Sequence, residues 1–523
     1  MKKALVLLLV LISAFALFAA GGSEAAKPAA QAADTPVKGG TLDLAVKGNP
    51  TSMLAWKLRG PIDRAYGCII WEKLFNFDES GNPVVELLDS YEQDPAKLTY
   101  TFHVKQGVYF HDGSELTAEV VKWNIDTYKA EGAQSKSFLG NLESVEVIDK
   151  YTCVLHLSAW DALIPFYMAR EGGCGYIQSK EAYEKNGAEW AAKNPVTTGP
   201  FKFVSWTSEV EVVLERNENY WRGDVLLDKI VYHIYQDDST IQAAFLAGEV
   251  DAMLNASTTV ADVLQGQGFT ATVGGVPAQA FTVCFESKKE SDPLHDIRVR
   301  QAVSYAIDRD AISKALFGQY GTATTQYAVK GSPYYEDSID GYPYNVEKAK
   351  QLMKEAGYES GFSAPIYVNA TSSASVEMAQ ILIEELAEIN IKAELKMIDN
   401  AAYTNLIDGW DGGILIHGMG MDAGVPTQIA GSYKDGLTSG IGLNSFERPA
   451  ELGQTIAAGL ASDAEGVIKY FKLAQKIIFQ DNCLLKAISV NFPVAVVSPK
   501  VHDAGLGATV STSANVWNAW IEK

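Results

Sequence analysis

Residues 366–416 decide the fold. They open on Ile366-Tyr367-Val368 and run through Val376 to Ile389. They continue as Ile391-Lys392-Ala393-Glu394-Leu395-Lys396-Met397, then Ala401 to Ile407, and close on Ile414-Leu415-Ile416. Short apolar or alternating runs predict strands, and the longer segments between them, with apolar residues every three or four positions, predict helices. A β-α-β-α-β succession predicts an open, largely parallel sheet and places the chain in the α/β class. In such a sheet ligands lie beyond the carboxyl ends of the strands, so the loop after Ile414–Ile416 is the first place to look for a site.

The pattern extends outward on both sides. Upstream, Val299, Ala302, Val303, Ala306 and Ile307 share one helix face. Asp308 is placed to cap the next helix, and Asn345 a further one that ends at Gly357. Downstream, Val467, Tyr470, Phe471, Ala474, Ile477 and Ile478 form another helical face. Toward the N-terminus, residues 98–110 alternate as a strand and His111-Asp112-Gly113 signals a turn. A helix is predicted from Ala118 to Lys129 with Thr117 as N-cap, and a strand from Tyr151 to Leu157. A helix from Ile241 to Ala247 should stop at Gly248.

Lys2-Lys3 followed by a weakly polar to apolar run, Ala4 to Ala20, has the pattern of a secretory signal peptide. Residues 21–38, rich in Ala, Gly, Pro and Ser, read as a flexible tether. No Cys lies near the end of the apolar run, so no lipid-modified N-terminal cysteine is expected. The expected location is periplasmic or otherwise extracytoplasmic. The formal net charge of -21 repels phosphate backbones and excludes nucleic acid as a natural partner. Five cysteines, odd in number and set among apolar neighbours, predict small buried side chains rather than a disulfide framework.

Signatures of common chemistry are missing. The chain has no G-x-x-x-x-G-K-[ST], H-E-x-x-H or G-x-S-x-G, and its seven histidines are scattered. No metal and no cofactor is expected. Gly418-Met419-Gly420-Met421-Asp422-Ala423 mimics a dinucleotide loop. Asp422 would set a negative charge beside a pyrophosphate, and Pro426 should interrupt the helix start, so nucleotide binding is not expected.

The ordered segments carry a resemblance. Gly39-Gly40-Thr41-Leu42, Trp71-Glu72-Lys73-Leu74-Phe75, Gly107-Val108-Tyr109-Phe110-His111-Asp112-Gly113, Thr198-Gly199-Pro200-Phe201, Asn219-Tyr220-Trp221 and Val299-Arg300-Gln301-Ala302-Val303 follow one another in the chain. Together they resemble the extracellular solute-binding proteins of ABC importers, family 5, over nearly all of the mature chain. The resemblance implies a two-lobed periplasmic-binding-protein fold of type II-like character with an additional inserted α/β domain. Lobe I would combine residues 39–77, 195–283 and 491–523, the insert would span 78–194, and lobe II would span 284–490. It implies a monomer without catalysis that closes over a short peptide and delivers it to membrane permease and ATPase subunits.

In peptide-binding members the loop after the strand ends in an aspartate that pairs with the ligand's ammonium, and Asp422 stands in that register. Met419 replaces the aromatic usual there. Gly420 and His417 flank the same turn, and Trp410 and Tyr66 are further candidates for the cleft. An Asx-type turn at Asp422 is the plain structural alternative. Two other functions stay open. An oligosaccharide or metal chelate could occupy the same cleft, aromatics such as Trp56, Tyr66 and Trp410 stacking on sugar rings. An exported hydrolase would need a carboxylate pair, and none stands out.

Overall fold

The computed structural model describes residues 36–58, 60–78, 81–132, 135–275, 277–421, 424–506 and 516–522. The predicted signal peptide, residues 21–35 of the tether and Asp422 lie outside the described residues. Residues 39–523 form one folded unit.

Alternation builds the first of three main sheets. In the strand Thr99–Val104, Tyr100, Phe102 and Val104 are buried while their neighbours are half-exposed. Burying each such ring contributes about 1.5–3 kcal/mol, which is why the odd–even pattern fixes the strand's face. The strand pairs antiparallel with Leu88–Asp94 and Thr152–Leu157, and Leu142–Asp149 completes the four-stranded sheet. Helix Ala118–Glu131 buries Val121, Ile125 and Tyr128. Thr117 holds the N-cap position with extended backbone, although its side chain makes no capping bond.

The first lobe contains a seven-stranded sheet. Its order is Thr270–Val273, Val494–Val497, Ala252–Met253, Thr41–Lys47, Lys229–Tyr235, Glu211–Arg216 and Phe201–Thr207. Thr41–Lys47 runs parallel to both neighbours. Helix Asp238–Ala247 ends at Gly248, whose φ of 74° is the left-handed cap predicted for it.

The second lobe contains a six-stranded sheet in the order Gly321–Ala323, Leu485–Asn491, Gln279–Phe285, Ile414–Gly420, Phe362–Asn369, Ile391–Ile398. Parallel pairing is confined to the last three strands, and the expectation of a largely parallel sheet is corrected accordingly. Gln279–Phe285 runs antiparallel to both its neighbours. The reason is connectivity: the chain enters this lobe along Gln279–Phe285 and leaves it along Leu485–Asn491, so these strands must oppose each other. Both belong whole to this sheet, so limits at 283/284 and 490/491 cut through strands.

Two short segments, 274–278 and 492–493, connect the large sheets. They lie side by side: Gly274 N–H donates to Pro493 O at 2.8 Å and Ala278 N–H to Asn491 O at 2.8 Å. Phe492 N–H donates to Tyr320 O at 3.0 Å. Away from this hinge the segment between the lobe I strands touches the second lobe. Ala162 N–H donates to Leu460 O at 3.0 Å, and the Trp160 indole N–H to Ser462 O at 3.4 Å. The structure is therefore closed. All five cysteines are buried, as their apolar neighbours predict. No helix of the described residues is long and apolar enough to cross a membrane.

Candidate functional site

The strand Ile414–Gly420 carries the chain to the site. Ile414 and Ile416 pack into one core of the second lobe, while Leu415 and Met419 join the other. The strand continues four residues beyond the predicted Ile416 because Gly418 lets the chain pass the Phe281 ring, which would stand 3.2 Å from a Cβ there. Met421 then leaves the sheet, its N–H donating to Ala278 O of the hinge at 2.9 Å. Gly424 N–H donates to Met421 O at 3.0 Å, a turn bond that holds these two residues together. Gly424 has φ of 76° and begins helix Gly424–Tyr433. Pro426 was expected to block that start. It lies instead in the first turn, where its missing N–H has no intrahelical role.

A cavity of about 230 Å³ adjoins this turn. Met421, Gly424 and Val425 form one wall, Gly275 and Pro277 of the hinge another, and Gly81, beside the β-hairpin strand Pro83–Val85, a third. The remaining wall is a second-lobe loop from Tyr327 to Tyr334. Gln475, fully buried on helix Ala464–Lys476, holds this loop at both ends. Its Oε1 accepts from Ala328 N–H at 3.0 Å and its Nε2 donates to Tyr334 O at 2.7 Å. The Tyr327 hydroxyl meets that of Tyr433 at 3.0 Å. Burial, with Asp78 nearby, raises the Tyr334 hydroxyl far above its ordinary pKa, so it stays protonated. Among the described lining residues only Lys330 carries a formal charge, and it is exposed.

The predicted residues fall in different places. Asp422 lies outside the described residues, although Met421 and Gly424 on either side of it both line the cavity. Met419 is buried and pairs with Ala280, behind the wall rather than in it. Gly420 ends the strand opposite Gln279. His417 is half-buried and stacks on Tyr403 at 6.2 Å. The Tyr403 hydroxyl donates to Ile416 O at 2.8 Å, so its oxygen accepts from His417 Nδ1–H at 3.1 Å and leaves Nε2 as an acceptor. Burial pushes the His417 pKa down to about 4, so the ring is neutral.

Trp410 and Tyr66 are corrections. Trp410 packs edge-on against Phe446 inside the second lobe, its backbone N–H bonded to Ser445 Oγ at 2.9 Å. Tyr66 is fully buried, 4.7 Å from the Tyr232 ring, and its hydroxyl donates to Gly48 O at 3.0 Å. Trp56 is likewise buried among Trp123, Tyr128 and Tyr183. Large aromatics give more to a core than to a surface, and sequence position alone did not reveal which these were. Met421, Tyr327 and Tyr334 were missed. Met421 was within reach of the strand argument, but the Tyr327–Tyr334 loop has no periodicity to betray it. Among the described residues no group of His, Cys, Asp or Glu is arranged to hold a metal ion.

Comparison with known proteins gives the site its context. Residues 82–439 match the family described as bacterial extracellular solute-binding proteins, family 5, in its middle region. The chain is 29% identical over 468 residues to heme-binding protein A of Haemophilus influenzae, covering 83% of each chain. It is 27% identical over 369 residues to the glutathione-binding protein GsiB of Pectobacterium atrosepticum, covering 70% of this chain and 71% of that one. The crystal structure of the ABC transporter substrate-binding protein CtaP of Listeria monocytogenes superposes with a TM-score of 0.80 at 22% identity, covering 93% of this chain and 100% of that one. Proteins of this family work outside the cytoplasm, binding small solutes for the permease and ATPase subunits of ABC importers. The chain belongs to the bacterial extracellular solute-binding proteins of family 5.

Proposed function

We propose that this protein binds a short peptide between its lobes and presents it, chemically unchanged, to the membrane subunits of an ABC importer. It acts as a monomer, exported by its N-terminal signal. Residues 39–77, 195–278 and 492–523 make one lobe, 279–491 the other, and 78–194 the insert. The observation that carries the reading is the position of the turn: Met421 and Gly424, which bracket Asp422, both border the cavity beside the hinge. An ammonium drawn from water into such a space needs a compensating charge, and the Asp422 carboxylate supplies it. Backbone groups of the Ala328–Ser332 loop and the hinge are at hand for the peptide's own N–H and C=O groups, a recognition mode blind to side chains.

The relatives are named for glutathione, itself a tripeptide, and for haem. The cavity's volume favours the smaller solute: about 230 Å³ is below the 300–1,000 Å³ common for small-molecule sites, and a porphyrin would have to hold the lobes apart. The oligosaccharide reading loses its support, because Trp56, Tyr66 and Trp410 are core residues. For a hydrolase, no carboxylate pair lines the cavity among the described residues.

Calorimetric titration with tri- and tetrapeptides tests the proposal. Removing one partner of a buried charge pair costs ~2–5 kcal/mol, so Asp422→Ala should weaken binding roughly thirtyfold to several-thousandfold without lowering the unfolding temperature of the free protein. Equal affinity in the two proteins would remove Asp422 from the site.

A further inference from the structure

A second cavity, of about 150 Å³, lies beside the first. The partition between them is thin. Tyr334 lines both, and consecutive residues, Gly81 and Asn82, face one cavity each. On the other side Gly424 belongs to the first cavity and Phe166 to the second, and a Cβ on Gly424 would stand 3.8 Å from Phe166 Cδ1.

The second cavity lies where the insert meets the second lobe. The insert's face contributes Pro83, Tyr91 and Phe166, and helix Ala464–Lys476 contributes Val467 and Ile468. Among the described residues no charged one lines it, and its two amides are engaged: Asn82 Nδ2 donates to Asp78 Oδ2 at 3.4 Å and Gln93 Nε2 to the Tyr91 hydroxyl at 3.3 Å. An apolar cavity of ~150 Å³ is large enough to hold a benzene ring. Removing apolar surface from water in such a space favours an apolar occupant.

We propose that this side chamber receives one uncharged, apolar or aromatic side chain of the solute bound in the main cavity, with Tyr334 as the dividing wall. The assignment rests on the peptide reading and adds a preference to it. Backbone pairing accepts any sequence in the main cavity, while the chamber selects for a leucine-sized or phenyl group at one position of the peptide. Acidic side chains are disfavoured there, because among the described residues no cation lines the chamber to pair with them.

Two measurements test this. First, trialanine is compared by calorimetry with the tripeptides that carry a single Phe or a single Asp at each position. One Phe position should bind about tenfold or more tighter than trialanine, and Asp at that position weaker than trialanine. In Ala464→Trp, an exposed position at the chamber where the indole can fill the space, the Phe-to-Ala affinity ratio should collapse toward one. A ratio near one at every position of the unmodified protein, or a preference that survives in Ala464→Trp, overturns the chamber. Second, crystals are soaked in p-cresol. A ring ordered between Tyr91, Phe166 and Ile468 supports the chamber whatever the natural solute, and a chamber without it contradicts the proposal. If the ring is present but none of the tripeptides binds, the chamber stands and the peptide reading falls.

Discussion

At the hinge, Gly274 N–H meets Pro493 O at 2.8 Å, Ala278 N–H meets Asn491 O at 2.8 Å, and Met421 N–H meets Ala278 O at 2.9 Å. Where the insert touches the second lobe, Ala162 N–H meets Leu460 O at 3.0 Å and the Trp160 indole reaches Ser462 O at 3.4 Å. The first set joins the crossing segments to each other and to the turn that borders the cavity. Its groups stay neighbours whatever the lobes do, because two covalent connections hold them. The second set joins residues some 300 positions apart, across the contact of the insert with the second lobe. The hinge bonds thus belong to folding, and the rim bonds belong to closure. Of the two sets, it is the rim that adds to the hold on a solute already bound in the cavity.

Substitutions can separate the two. The largest effect is expected at Gln475, which ties the Tyr327–Tyr334 wall to its own lobe in open and closed states alike. Gln475→Ala leaves a buried N–H and a buried C=O without partners and should cost about 2–4 kcal/mol of folding stability in urea titrations of the ligand-free protein. Undiminished stability with faster solute release would move Gln475 to the closure set.

An intermediate effect is expected at His111. Its Nε2 donates to Gly199 O at 2.9 Å, away from the rim, and its Nδ1 is buried without a partner. Burial lowers its pKa from 6.5 to about 4. A depressed pKa contributes stability that is present above about pH 6.5, the unfolded value, and lost as pH falls toward 4. The acid loss should therefore be shallower in His111→Gln by on the order of 2 kcal/mol, read from unfolding curves between pH 7 and 4. Solute affinity at pH 7 should not change, and a large change there would place His111 in the closure set.

The smallest effect is expected at Trp160. Its ring stacks on Tyr100 at 4.7 Å, and Phe can keep that contact while losing the N–H. Trp160→Phe should raise the solute dissociation rate about two- to tenfold, the worth of one hydrogen bond of ~0.5–1.5 kcal/mol, with little change in unfolding of the free protein. An unchanged dissociation rate would mean that the rim contact contributes nothing to closure.

How much of this was legible in the residues follows the same division. Local signals carried well. Asp308 and Asn345 cap their helices as predicted, accepting from Ala311 N–H and Lys348 N–H at 3.0 and 2.9 Å. The helix predicted at Ala401–Ile407 is Asn400–Leu406, started by Asp399, whose carboxylate accepts from two backbone N–H groups. The strand predicted at Ile366–Val368 is longer, Phe362–Asn369, because Pro365 hid its first half yet lies in the strand. Helix Ala464–Lys476 was read from its apolar face, but Ile477 and Ile478 belong to the wider π turn that follows.

Long-range features were hidden. The Tyr327–Tyr334 loop is fixed by a glutamine some 140 residues away, and that pairing leaves no local pattern. The strand order of the second lobe depends on where the chain crosses the hinge, which no periodicity records. Of the site, the turn after Ile414–Gly420 was found because open sheets place ligands there. Its aromatic neighbours were misplaced because Trp and Tyr look the same in sequence whether they line a cleft or fill a core.

The most direct measurement is native mass spectrometry of the purified protein after exposure to a digest of casein and removal of free peptide. The account predicts complexes that carry peptides of a few residues, each with an apolar side chain, and their near-disappearance in Asp422→Ala. A bare protein mass after exposure to the digest, with haemin or an oligosaccharide retained under the same conditions, would contradict it.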